Sequence, residues 1–215
     1  MLYPVLEVII GTQKGDLSAK NLEKVMSRSY RRLNLTPIWV IIGLNLLLFI
    51  ATLVVRELIL FFGLIPADVA ARPWTIVTSL FLHGGIGHIL ANMITLYFFG
   101  RYLCALVGGK KFLIVYFIGG ILGSILYILL APPLSIAIGA SGAVFAVGGV
   151  LAVMTPRLRV FVFPIPVPLP LWVAVIGGFL IISLFPNVAW QAHLGGLAFG
   201  LTIGYFFRRR ARLFF

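Results

Sequence analysis

The chain has 215 residues, of which 61% are hydrophobic and 10% charged, with a mean hydropathy of +1.13. Soluble domains average about 45–50% apolar and about 25% charged residues, so a soluble globular domain is excluded, and so is a disordered chain, which needs the opposite composition. The formal net charge of +12 would suit nucleic-acid binding only if the basic residues formed a patch; instead they flank apolar runs, as topology signals do.

Repeated apolar runs of about 17–20 residues indicate an all-α polytopic membrane protein. The alternation and regular turns of an outer-membrane barrel are missing. In chain order, residues 1–36 read as a cytosolic or interfacial segment carrying Lys14, Lys20, Lys24, Arg28, Arg31 and Arg32. Within it, Leu17 to Leu33 is expected as a basic amphipathic helix on the inner leaflet. Residues 1–10 lack the basic flank and cleavage site of a signal peptide.

Six spans are predicted over residues 37–207. The first runs from Pro37 to Val55, the second from Ile86 to Val107, and the third from Phe112 to Ala131, stopped by Pro132 and Pro133. The fourth is Ser141 to Met154, stopped by Pro156; the fifth is Leu169 to Phe185, stopped by Pro186; the sixth is Val188 to Phe207. Residues 208–215 form a basic cytosolic tail. The connection Leu58 to Leu82 is apolar but broken by Pro66 and Pro73, and is expected as a partly embedded loop. Of the 17 basic residues, only Arg56 and Arg72 fall on the side of the first loop, which predicts six spans with both termini cytoplasmic. A cell inner membrane fits this bias.

The fourth span is short. Fourteen residues rise about 21 Å against a hydrocarbon core of ~30 Å. Its start should lie below the outer surface, met by an irregular stretch from Pro132 to Ala140. Irregular backbone at that depth is tolerated only inside protein or along a water-filled cavity. A wet pocket opening outward, with Ser141 at its floor, follows.

Polar residues within spans are costly and mark candidate sites. His83, His88 and His193 are the only histidines, and all fall in the outer third. His88, Ser141 and His193 open three different spans at one level. Asn92 shares the face of His88, four residues on, although interhelical bonding would also explain that pair. Ser141 starts a helix, where backbone N–H groups are free and suit an anion. Ser124, Ser183 and the lone Cys104 are read as packing residues. Small residues at Gly196, Gly200 and Gly204 match those at Gly142, Ala146 and Gly149, and predict close contact of the fourth and sixth spans. That contact would bring His193 Nε2 to Ser141 Oγ. No Asp or Glu follows Asp68, so a Ser–His pair is expected unless Glu57 or Asp68 reaches in from the first loop. A metal site is not expected: His83 and His88 are five residues apart and HExxH is missing. No cofactor is implied.

These residues resemble the rhomboid family of intramembrane serine proteases over roughly residues 37–207. His83-Gly-Gly-Ile-Gly-His88-Ile-Leu-Ala-Asn92 resembles the family's second-span signature, Gly139-Ala140-Ser141-Gly142 its GxSG motif, and Ala192-His193-Leu194-Gly195-Gly196-Leu197-Ala198-Phe199-Gly200 its sixth-span motif. The resemblance implies a six-helix bundle with a short fourth helix and an embedded first loop. It implies Ser141 as nucleophile, His193 as general base and then acid, and an oxyanion hole from the Ser141 N–H, His88 and Asn92. Phe145 matches a ring that packs on the catalytic histidine, and His83 a structural position. The implied activity is endopeptidase cleavage of transmembrane protein substrates in the lipid bilayer, without nucleic acid or metal. The Trp-Arg dipeptide of many members is replaced here by Ala71-Arg72-Pro73-Trp74. Two other readings are a non-catalytic rhomboid-fold protein that binds client helices, and a transporter lined by His and Asn, for which no internal repeat is found.

Overall fold

A computed structural model describes residues 35–162 and 165–212. The expected amphipathic helix at Leu17–Leu33 and the end of the basic tail lie outside the described residues. The described chain is mostly helical. Helix α1 is Thr36–Val54, opened by Pro37 and followed by the charged pair Arg56-Glu57. Proline suits a helix start because its missing N–H would be unpaired there anyway. Two short helices, α2 at Glu57–Phe62 and α3 at Thr75–Thr78, lie within the first loop. Helix α4 is Ile86–Val107 and α5 is Gly109–Leu130. They are joined through Gly108 at φ +85°, a left-handed conformation that costs glycine little. Helix α6 is Ser141–Met154, α7 is Leu171–Ser183 and α8 is Trp190–Arg212.

Helices α1, α4 and α5 are long and apolar enough to cross a membrane, and α6 and α7 are shorter apolar helices. Helix α8 is long, but Gln191, His193 and its glycines make its first half less apolar. Large apolar side chains such as Leu47, 62% exposed, and Val54 cover the outside of α1. Such a surface is stable in lipid and not in water.

The centre of the molecule is α6, in which ten of fourteen residues are buried. It packs chiefly on α8 and α5, with α4 and α7 on its other sides. The contact with α8 is made by backbone meeting backbone. A Cβ on Gly196 would overlap the Gly142 carbonyl, and one on Gly200 would overlap the carbonyl of Ala146. A Cβ on Gly149 would lie 2.9 Å from the Leu197 oxygen. The predicted small-residue faces are therefore the faces in contact. Without water to drive helix association inside a bilayer, such close van der Waals approach is what holds spans together.

The first loop is sewn to the stretch before α6. Leu64 and Ala137 exchange backbone hydrogen bonds of 3.0 and 2.8 Å. Ala67 N–H donates to the Pro133 carbonyl at 2.9 Å, and Gly139 N–H to the Ser79 carbonyl at 2.9 Å. Leu64, Leu80 and Leu82 are buried. Backbone groups of an irregular segment at membrane depth need partners, and these two segments supply one another's. Arg72 pairs with Asp68 and also donates to the Leu60 carbonyl, fixing the loop's outer turn.

Three helices differ from expectation at their ends. Helix α5 begins at Gly109, before Lys110 and Lys111, because the helical ladder already includes them, with Phe112 N–H donating to the Gly108 carbonyl at 3.1 Å. Helix α8 runs through Arg208–Arg210, since arginine is a good helix former. Helix α7 is shorter than its apolar run. Leu169 and Pro170 pair antiparallel with Val160 and Arg159, giving strands β1, Arg159–Val160, and β2, Leu169–Pro170. At the far end, Leu184 and Phe185 lie beyond the helix, before Pro186.

Candidate active site

Ser141 is the first residue of α6. The first bond of the helix's own ladder at this end runs from Val144 N–H to the Ala140 carbonyl, at 3.0 Å. The amides of Ser141, Gly142 and Ala143 precede it, so they are free of that ladder, as at any helix start. His193 lies in the first turn of α8, where its N–H donates to the Ala189 carbonyl at 3.3 Å. Ser141 Oγ and His193 Nε2 are 2.6 Å apart, across 52 residues of sequence. That is a short hydrogen bond, with the hydroxyl donating when the imidazole is neutral.

His193 is 5% exposed, and its Nδ1 has no hydrogen-bond partner among the described residues. Asp68 is engaged by Arg72, and Glu57 begins α2 in the first loop. The arrangement is thus a pair, without a carboxylate on Nδ1. The ring of Phe145 faces the imidazole, with centroids 4.8 Å apart and planes inclined by 37°. Phe145 is itself met edge-on by Phe179 of α7, at 5.9 Å. The imidazole is therefore held by the hydroxyl at one edge and by an aromatic face on its side.

His88 lies in the first turn of α4. Its Nδ1 accepts a long hydrogen bond, 3.4 Å, from Gly84 N–H, which leaves the proton of a neutral ring on Nε2. That edge abuts Gly139: a Cβ there would lie 2.8 Å from both Cε1 and Nε2 of His88, and 3.6 Å from Ser141 Oγ. Gly139 has φ +131°, outside the range open to other L residues. The absence of a side chain at Gly139 thus keeps an N–H donor next to the serine. Asn92 is one turn further on, with Nδ2 donating to the His88 carbonyl at 2.9 Å; its second amide N–H is not used by that bond. His83 is 1% exposed, with its ring against that of His88 at 4.9 Å.

A cavity of about 20 Å³ lies beside Ser141, lined by Ser79, Ser124, Gly139, Gly142 and Ala192 among others. A cavity of that size holds a water molecule when polar groups line it. Ser124 Oγ donates to the Ile76 carbonyl at 2.9 Å and Ser183 Oγ to its own helix at Phe179, so both serve local structure. Cys104 is buried. Among the described residues no three His, Cys, Asp or Glu side chains cluster as a metal ion would require.

Of the sequence candidates, the structure brings Ser141, His193, Phe145 and His88 together, with Asn92 adjoining through the His88 carbonyl. Nothing in the sequence marks Phe179 or the contact between Gly139 and His88. Gly139 lies inside a recognisable motif, but its partner is 51 residues away, and no local pattern names it. Phe179 sits in a uniformly apolar run that offers no distinguishing signal.

A mostly helical membrane protein with a hydroxyl–imidazole pair sunk among its helices is the class that the fold and this constellation define. The rhomboid domain profile matches residues 70–210. RHOMBOID-like protein 1 of Arabidopsis thaliana is 33% identical over 135 residues, which cover 62% of this chain and 34% of that protein. The putative rhomboid protease YdcA of Bacillus subtilis is 28% identical over 134 residues, covering 61% of this chain and 66% of its own. Rhomboid protein 1, mitochondrial, of Saccharomyces cerevisiae is 28% identical over 154 residues, covering 66% and 44%. The matched part is thus about a third of the plant relative and about two thirds of the bacterial one. The chain belongs to the rhomboid family.

Proposed function

We propose that this protein is an intramembrane serine endopeptidase that cleaves transmembrane segments of membrane proteins. The observation that carries the reading is the 2.6 Å contact between Ser141 Oγ and His193 Nε2. In this reading the core is a six-span bundle over residues 37–207, made of α1, α4, α5, α6, α7 and α8. Both termini lie on the cytoplasmic side of a cell inner membrane, and the pocket opens to the outer side.

His193 Nε2 takes the Ser141 proton as Oγ attacks the scissile carbonyl carbon. The charge that develops on the carbonyl oxygen meets the Ser141 amide, the Nε2–H of His88 and the free amide N–H of Asn92. Fixed donors at that point stabilise the transition state more than the ground state. Collapse breaks the C–N bond, and the proton on Nε2 passes to the leaving amine. A water then attacks the acyl ester, giving its proton to His193, and expulsion of Oγ returns that proton to the serine. The small cavity beside Ser141 can supply this water. Phe145 keeps the ring in one orientation through both halves, a task that a carboxylate on Nδ1 performs in a triad.

The test is cleavage of a single-span substrate by the reconstituted protein, with cut sites mapped by mass spectrometry. Ser141→Ala and His193→Ala are each expected to lower kcat by at least about 10³-fold, and His88→Ala by about 10²–10³-fold. A serine-directed fluorophosphonate should label Ser141 in the wild type. Wild-type rates in Ser141→Ala would overturn the reading. Folded protein that neither cleaves nor labels would favour a client-binding role.

A further inference from the structure

The start of α1 packs on the second half of α4, and their seam holds a charge without a counter-charge. Arg101 lies six residues inside the end of α4 at Val107. Among α1, α4, α5, α6 and α7 it is the one charged residue set away from a helix end. Its Nη1 donates to the Tyr97 hydroxyl oxygen at 3.1 Å, and the Tyr97 ring meets the indole of Trp39, on α1, at 5.3 Å. A Cβ on Gly100, next to Arg101, would lie 3.6 Å from Ile38 Cδ1. Ile38 thus stands by Gly100 and Trp39 by Tyr97, so the two helices run in opposite directions here.

Depth follows from helix length. Helix α1 has 19 residues, a rise of about 29 Å, which matches a hydrocarbon core of ~30 Å. Its first turn, with Trp39, therefore marks one boundary, and Tyr97 stands level with it. Arg101 is one helical turn, about 6 Å, further on, so its Cα stands at the edge of the hydrocarbon, where headgroup phosphates begin. His88 is about 20 Å away along α4, so this is the end of the bundle away from Ser141. Arg101 is half-buried and has no acid to meet. The acids among the described residues are Glu57 and Asp68, both in the first loop beyond the far end of α1, and Asp68 is engaged by Arg72. What the seam offers is donors: the other guanidinium N–H groups, the Tyr97 hydroxyl proton, and the indole N–H of Trp39, which is 56% exposed. Donors around a fixed positive charge select an anion, and the planar fork of arginine suits a phosphate. Trp and Tyr favour this interfacial depth.

We propose that Arg101, Tyr97 and Trp39 form a binding site for the headgroup phosphate of an anionic phospholipid, in the seam between α1 and α4. Its acyl chains lie along Phe98, 62% exposed, and Ile94 one turn deeper on the same face of α4. The lipid supplies the negative charge that the described residues do not bring to Arg101. The site uses the fold alone and not the proposed catalysis, so a Ser141→Ala protein binds the lipid equally well.

The experiment reads the lipid beside Trp39 by fluorescence quenching. Full-length protein carrying Trp74→Phe, Trp172→Phe and Trp190→Phe keeps Trp39 as its one indole. It is reconstituted into mixtures of phosphatidylglycerol and phosphatidylcholine in which one or the other carries bromine on its acyl chains. Phosphatidylglycerol should be preferred at Trp39 by about fivefold, the scale of one arginine at a charged headgroup. A companion protein keeping only Trp190, at the start of α8, should show no preference. Equal quenching by the two lipids at Trp39, or the same preference at Trp190, would overturn the site. Arg101→Gln should abolish the preference, and Arg101→Met serves the same purpose if the glutamine variant does not fold. A preference that survives in either variant would overturn the role of Arg101. Excess inorganic phosphate at matched ionic strength should leave the preference intact; its loss would overturn the lipid as occupant and leave a site for a small free anion.

Discussion

At the scale of single residues, Gly139 is the position where backbone geometry and proposed chemistry are least separable. Its φ of +131° penalises any side chain, and a Cβ would meet the His88 ring at 2.8 Å. Gly139→Ala should therefore displace His88 and lower kcat by about 10²-fold, as loss of one oxyanion donor does. Adding His88→Ala to Gly139→Ala should then cost little more, because both changes remove one interaction. Steady-state kinetics on the two single variants and the double variant check this; simple multiplication of the losses would show that Gly139 acts elsewhere. In the proposed mechanism Phe145 acts through its ring. Phe145→Tyr should keep most activity, whereas Phe145→Ala should lose about tenfold in kcat/KM, the scale of one aromatic contact. Ser141 and His193 are legible in sequence as polar residues opening two spans. The role of Gly139 is not, because it depends on a backbone angle and on a partner from another helix.

At the scale of elements, the α6–α8 contact and α7 are opposites. Gly196 and Gly200 meet carbonyls of α6 with no room for a methyl group. Gly196→Ala should destabilise the protein by about 1–3 kcal/mol, as overpacking does, and weaken the Ser141–His193 contact with it. In α7, Gly177 and Gly178 have nothing within 4 Å of an added Cβ. Gly178→Ala should be neutral, or stabilising by up to about 1 kcal/mol, since alanine favours the helix. Unfolding midpoints in a mild detergent distinguish the two; equal losses would mean that the glycines of α6–α8 are not what holds the helices together. These small-residue faces are readable because their spacing is three or four residues throughout, which only a helix turns into a stripe. The end of α7 is not. Proline-rich text between Phe163 and Pro170 conceals a two-residue ladder, because half of its positions cannot donate to one. The stitching of the first loop to residues 132–140 is equally silent, being made by backbone groups that any sequence carries.

At the scale of the whole molecule, the short, central α6 and the short, peripheral α7 share one physical origin and serve different ends. Helix α6 is enclosed by protein, and the loops above its start carry their own hydrogen bonds. Its length is therefore a matter for its neighbours and not for the solvent. Helix α7 has only Leu171 and Val175 buried, and Leu184 just past its end is 86% exposed, so surrounding lipid must answer for its length. Hydropathy and charge bias suffice to read a multi-span α protein, because both describe the chain against the bilayer. They cannot reveal which of two short helices lies inside, because that is a relation among the helices themselves.

One flank of this protein presents far less height to its surroundings than the flank formed by α1. In the proposed six-span arrangement, acyl chains beside α7 must compress or tilt, at a cost of fractions of a kcal/mol for each Å of disagreement. The molecule should thus discriminate among membranes by thickness, settling where the sheet is thin. In phosphatidylcholines of graded acyl length, its thermal midpoint should fall as chains extend beyond eighteen carbons, and a flat response across the series would show that α7 tilts or extends to match. Such a preference would also decide which proteins it meets, since neighbours are sorted by the same measure.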